Sequence, residues 1–212
     1  MSESNTEASV LYEVSDHIAT ITLNRPERRN ALNFDAYDRL EKALRRAVTD
    51  AEARCVIITG ADPAFCSGDD VREIMAAPKP KETAPKSPTV RHQPTPAAMA
   101  ALECDKPVIA AINGAAIGWG MELALYADIR IASDRAKFSE MFIKRGLVCD
   151  VGGFYRLPSI VGPAKAAELL FTGDVIDAGE GERIGLVSST VPHAELMDEA
   201  RDFVRKSPAV AI

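Results

Sequence analysis

Two stretches of this sequence could do chemistry through their backbone. Ala64 to Val71 (AFCSGDDV) and Asn113 to Glu122 (NGAAIGWGME) each follow an apolar run with small residues and lead into a helical pattern. The start of a helix leaves N–H groups without intrahelical acceptors, and glycine lets a ligand oxygen come close to them. Two such N–H groups converging from separate loops would stabilise an oxyanion. Ordinary glycine turns after strands account for the same residues. Neither loop has the GxGxxG or GxxxxGK[ST] spacing of a phosphate cradle.

Two carboxylates stand beside these loops. Glu122 lies among Trp119, Met121, Leu123, Ala124 and Leu125, where an ionised side chain is costly without a partner or a purpose. Asp150 sits in GLVCDVGG, a second apolar, glycine-rich turn. A carboxylate in such a setting can take or return a proton next to a carbonyl. Equally, Glu122 could be a first-turn charge favoured by the helix dipole, and Asp150 a turn or cap residue. His17, His92 and His193 have no evident Ser, Cys or acidic partner in the sequence, so a nucleophilic triad has little support.

The elements that must position these groups alternate between strand and helix patterns. Val10 to Val14 and His17 to Leu23 read as a hairpin around Ser15-Asp16. Asp35 to Asp50 puts Ala36, Leu40, Ala43, Leu44, Ala47 and Val48 on one face, with Asp38/Lys42 and Glu41/Arg45 pairs outside. Arg54 to Thr59 and Pro107 to Ile112 are continuous apolar runs, as in strands covered on both faces. Helical patterns return at 95–103, 120–126, 163–171, 177–184 and 193–206, with a strand-like DIRIAS at 128–133. Six prolines between Ala77 and Pro96 predict an irregular loop. The fold class is therefore mixed α/β.

Composition narrows the function. The chain has 212 residues, 47% hydrophobic and 26% charged, enough to close a sizeable core. A net charge of -6 makes nucleic acid a poor partner. Cys55, Cys66, Cys104 and Cys149 show neither metal-ligand nor disulfide spacing and read as reduced thiols. The first nine residues read as a flexible tail without a secretory pattern, which suggests the cytoplasm. Pro107 to Ala127 has the length of a membrane span, but Asn113, Glu122 and its glycines fit a strand, a turn and a helix better.

Taken in order, NRPERRNALN (24–33), VIITGADPAFCSGDDV (56–71), KPVIAAINGAAIGWGMELALYADIRIAS (106–133), AKFSEMFIKRGLVCDVGGFYRLPSIVG (136–162) and AAELLFTGDVIDAGEGERIGLVSSTVP (166–192) resemble the crotonase superfamily of enoyl-CoA hydratases and isomerases. The resemblance implies a spiral of ββα units over residues 10–190, followed by a C-terminal helical segment at 191–212 that is short for the family. It also implies a homotrimer or hexamer and an acyl-CoA thioester, with coenzyme A part of the substrate and no separate cofactor, metal or membrane partner. By matching position, the Asp69 and Trp119 N–H groups form the oxyanion hole. Ala31, Ser67, Gly68, Asp70, Val71, Gly118 and Phe142 line the substrate. Glu122 and Asp150 move protons.

Two departures and one further likeness refine that expectation. Phe142 stands where family hydratases place a second glutamate, which weakens hydration and slightly favours isomerisation. Glu122 with Asp150 resembles the acidic pair of dienoyl-CoA isomerases. Trp119 replaces a glycine, and its indole is expected to narrow the acyl tunnel toward small or thin chains. A hydrolase using Asp150 as nucleophile, and a non-catalytic acyl-CoA-binding protein, are the rival readings.

Overall fold

The computed structural model describes residues 8–74, 95–149 and 151–206. The chain opens with an antiparallel hairpin, β1 (Val10–Ser15) and β2 (Ile18–Leu23), turned by Asp16 and His17, both at positive φ. That turn lies one residue later than the sequence pattern suggests. Helix α1 (Phe34–Thr49) follows, and the Asn33 side chain caps it by accepting the Ala36 N–H at 2.9 Å. Its buried stripe is Ala36, Leu40, Ala43, Leu44 and Ala47, while Val48 is only half-buried. The Asp38–Lys42 and Glu41–Arg45 pairs form on the outer face.

Three strand pairs then repeat one plan: β3 (Cys55–Gly60) and β4 (Ala64–Cys66), β5 (Val108–Ile112) and β6 (Ala115–Ile117), β7 (Ile129–Ser133) and β8 (Lys137–Ser139). Between them lie α2 (Val71–Ile74), α3 (Pro96–Leu102) and α4 (Trp119–Tyr126). After β8 come α5 (Gly153–Val161), α6 (Pro163–Thr172), β9 (Ile176–Asp177), α7 (Ala178–Arg183), β10 (Ser189–Val191) and α8 (Leu196–Arg205). The first strand of each pair joins a six-stranded sheet ordered β1-β2-β3-β5-β7-β10. The second joins a four-stranded sheet ordered β4-β6-β8-β9. This is the spiral of ββα units that the resemblance implies. The short strands β4 and β6 occupy stretches that read as loops in the sequence, because three-residue strands carry too few positions to show a period.

Strand β3 is buried throughout, with Val56 and Ile58 in the main core and Cys55 and Ile57 packed under α8. Leu196, Ala200 and Val204 of α8 close that second face against Ile18, Ile109 and Ile131. Fully burying one aliphatic side chain is worth about 1.5–3 kcal/mol, so both faces of the sheet contribute to holding it. Helix α5 is not evident from periodicity: Gly152 and Gly153 open it and Pro158 lies inside it. The apolar run 107–127 becomes β5, β6 and α4. Among the described residues no helix is long and apolar enough to cross a membrane.

Candidate active site

The segment 24–33 is the rail on which one chemical loop rests. Asn30, buried at φ +55, accepts the Arg25 N–H on Oδ1 and donates from Nδ2 to the carbonyls of Ala61 and Ala64 at 2.7 and 2.6 Å. The next residues pair with the loop after β4: Ser67 N–H to Arg29 O, Leu32 N–H to Gly68 O, and Asp70 N–H to Leu32 O. Arg25 locks the assembly by donating to Ala31 O at 2.6 Å and pairing with the Asp70 carboxylate at 3.0 Å.

The second loop arrives through β6. Gly118 N-caps α4, its own N–H donates to Ser139 O of β8 at 2.8 Å, and Trp119 is the first helical residue. The sequence pattern starts this helix one residue later, at Gly120. The Trp119 N–H therefore lies in the first turn, where the helix offers it no carbonyl. A Cβ built on Gly68, which is at φ +90, would lie 3.5 Å from Trp119 N and 2.9 Å from Ile117 O. One built on Gly120 would collide with Cys66 O at 2.1 Å. The two loops thus touch backbone to backbone, and glycine at these two positions permits it.

Beyond this junction lies a cavity of about 580 Å³, walled by Phe34, Tyr37, Trp119, Phe142, Leu147 and Val148 among others. A smaller space of about 100 Å³ is lined by Ser67, Gly68, Val71, Gly118 and Arg145 among others, and shares Asp69, Trp119, Phe142 and Leu147 with the large one. The Trp119 indole stands edge-on to Tyr37, ring centroids 5.0 Å apart, and forms wall rather than plug. The Tyr37 hydroxyl donates to Asp69 Oδ1 at 2.5 Å.

The expected site residues separate into three groups. Ser67, Gly68, Asp69, Val71, Gly118, Trp119 and Phe142 meet at these two spaces. Asp70 does not present its side chain there: it is buried, and although burial pushes its carboxyl up, the Arg25 guanidinium more than offsets this and holds it below the usual range. Ala31 is likewise buried, with its carbonyl taken by Arg25. Asp150, His92 and most of the proline-rich stretch lie outside the described residues.

Glu122 is 1% exposed, and its Oε1 accepts the Gly153 N–H at 3.0 Å. Beside it the structure brings a carboxyl that the sequence reading overlooked. Glu140 follows β8 directly, is also 1% exposed, and neither of its carboxyl oxygens has a hydrogen-bond partner among the described residues. Ligand atoms of Glu122, Glu140 and Cys149 all lie within 4.8 Å of one another. Burial, followed by the Glu122 charge, pushes the Glu140 carboxyl up to about 9. Burial with the two glutamates pushes the Cys149 thiol up to about 12, so it is no thiolate nucleophile. The signal for Glu140 was its place inside the motif at 136–162, with no periodicity to mark it as buried.

His193 also departs from expectation. Its Nδ1 lies 3.0 Å from Ser133 Oγ and its Nε2 3.1 Å from Asp62 Oδ2, and Asp62 accepts from Asn113 Nδ2 at 2.9 Å. Ser133 is fully buried, however, so this Ser–His–Asp row presents no nucleophile and ties β7 and the turn before β4 to the segment preceding α8. All four cysteines are free.

Residues 13–209 match the family described as enoyl-CoA hydratase/isomerase. The chain is 41% identical over 187 residues to a probable enoyl-CoA hydratase of Rhodobacter capsulatus, covering 88% of this chain and 70% of that one. It is 38% identical over 203 residues to an (E)-benzylidenesuccinyl-CoA hydratase of Thauera aromatica, covering 95% and 77%. A solved enoyl-CoA hydratase from Mycobacterium avium superposes with a TM-score of 0.81 at 39% identity, covering 96% of this chain and 83% of that one.

Proposed function

The chain belongs to the enoyl-CoA hydratase/isomerase family, and from that premise we propose that it moves a carbon–carbon double bond within an acyl-CoA thioester by way of an enolate. The observation that carries this reading is the backbone junction of Gly68 with Trp119 N, at the edge of an apolar cavity. The Asp69 and Trp119 N–H groups receive the thioester oxygen, and the charge that develops there as a C–H bond breaks is met by fixed dipoles. Glu122 and Asp150 carry the proton from one carbon to the other. Coenzyme A arrives with the substrate, its anionic end toward Arg145, which lines the smaller space, and no separate cofactor is called for.

Isomerisation is favoured over hydration because Phe142 lines the cavity and turns its ring toward Gly118, 3.7 Å from where a Cβ there would be. A water nucleophile needs acceptors to hold it, and a phenyl ring offers none. Hydration is the second reading, supported by the names of the relatives. Incubation with a 3-enoyl-CoA and a 2-enoyl-CoA in D2O separates the two. Deuterium entering at the α or γ carbon without a 3-hydroxyacyl product supports isomerisation; 3-hydroxyacyl-CoA as the main product overturns it. Neither outcome across a range of acyl chains would leave an acyl-CoA-binding protein, and acyl-enzyme trapping at Asp150 would identify a hydrolase.

The assembly we propose is a homotrimer or a pair of trimers. Exposed Phe154, Tyr155 and Phe171 on α5 and α6 give it an apolar surface to bury. Free thiols and an acidic surface suit the cytoplasm.

A further inference from the structure

Glu140 has no place in that mechanism, yet it is a costly side chain where it stands. Its carboxyl is buried without a hydrogen-bond partner among the described residues, and Glu122 lies within reach of it. An ionised carboxylate in such a place carries a large solvation penalty unless a cation answers it.

No cation answers it among the described residues. From α4 the group facing it is Glu122, and Tyr126 one turn on gives its hydroxyl to Val151 O. Arg156 of α5 stacks over the Tyr126 ring at 4.3 Å, Lys144 pairs with Asp174 at 3.3 Å, and the Cys149 thiol is neutral. Glu140, buried and with no counter-ion among the described residues, does not hold a charge of its own beside a charged Glu122.

We propose that Glu140 is the proton-holding partner of Glu122: the two carboxyl groups carry one negative charge between them, with Glu140 neutral while Glu122 exchanges a proton with the substrate. This rests on Glu122 being a proton-transferring group. In the forward step the substrate C–H bond breaks, its proton joins a Glu122 oxygen, and its electron pair passes into the thioester enolate. The acid pair is then neutral. Return of the proton to the distant carbon restores its single charge. Glu140 is thus a positioning residue that keeps a second negative charge away from the place where the enolate forms.

The test is the pH dependence of wild type and Glu140→Gln, which mimics the neutral acid. In wild type, turnover at pH 10 should be at least tenfold below that at pH 7, because ionised Glu140 opposes the enolate; in Glu140→Gln the ratio should stay within about twofold. An equal alkaline fall in both proteins overturns the proposal. A second measurement does not depend on turnover or on the variant folding: carboxyl-13C glutamate in the wild-type chain, followed by NMR. One resonance titrating near pH 9 supports the proposal even if the chain proves not to be an isomerase, whereas all glutamates titrating in the ordinary range overturns it. Stoichiometric tight binding of Zn2+ to wild type, lost in Glu140→Gln, also overturns it, since a cation would then do what the shared proton is proposed to do.

Discussion

The Tyr37 hydroxyl of α1 donates to the Asp69 carboxylate at 2.5 Å, while the Tyr37 ring meets the edge of Trp119. One aromatic residue thus spans both loops that carry the proposed N–H donors. A hydrogen bond to a charged group contributes about 1.5–3 kcal/mol. Tyr37→Phe should keep the ring contact and lose the bond, lowering stability in urea by that order. It should also reduce kcat/KM, because Asp69 loses a fixed position. Unchanged stability and kinetics would show that the hydroxyl does not hold the loop.

Gly68→Ala places a methyl 2.9 Å from Ile117 O and 3.5 Å from Trp119 N, on a backbone at φ +90. The chain must shift there, and loss of one oxyanion donor costs about 100- to 1,000-fold in kcat. Gly146→Ala is the control: φ is +67, but nothing lies within 4 Å of the added carbon. It should cost stability of about 1 kcal/mol from strain and leave kcat largely intact. If both variants lose the same activity, φ strain and not donor geometry sets the effect.

Asp150→Asn should lower turnover by about 100- to 10,000-fold while acyl-CoA binding stays nearly intact, the range for a positioned acid or base. Calorimetric binding beside steady-state kinetics reads both. Wild-type turnover in the variant would remove Asp150 from the mechanism.

Trp119→Gly keeps a backbone N–H at the head of α4 and removes part of the wall of a cavity of about 580 Å³. Bulky acyl-CoA substrates should gain on short ones in kcat/KM by about 1–3 kcal/mol for each methylene-sized misfit relieved. An unchanged ratio would mean that the acyl group lies elsewhere.

Glu140 also predicts a stability profile. Its carboxyl stands at about 9 in the fold against an ordinary 4.5 when unfolded, so between those values the folded chain holds a proton that the unfolded chain has lost. Stability conferred by the neutral acid is whole below pH 4.5 and declines as pH rises toward 9, with a limiting slope of about 1.4 kcal/mol per pH unit. Relative to wild type, Glu140→Gln should therefore gain stability from pH 6 to pH 9. Parallel denaturation midpoints for the two proteins over that range would contradict the shift.

Long elements were legible because their periods had room to show. Leu40, Ala43, Leu44 and Ala47 mark α1, and the unbroken run at Cys55–Ile58 marks a strand covered on both faces. The residues around Gly68 and Trp119 were found by type and motif. What escaped was set by tertiary contact: β4 and β6 at three residues each, α5 with its inner proline, and the Glu122–Glu140 juxtaposition across 18 positions. Ser133, Asp62 and His193 were invisible as a set for the same reason, since β7, the turn before β4 and the segment before α8 bring them together.

At Gly120 the backbone of α4 approaches Cys66 O so closely that no side chain on residue 120 would fit between them. The proposed oxyanion donors are main-chain groups, which most replacements of neighbouring side chains leave in place. The walls at Phe34, Tyr37, Phe142 and Leu147 are written in side chains and can be exchanged one at a time. Under the proposed function, a change of acyl preference therefore requires replacement of wall residues and leaves the donors where they are.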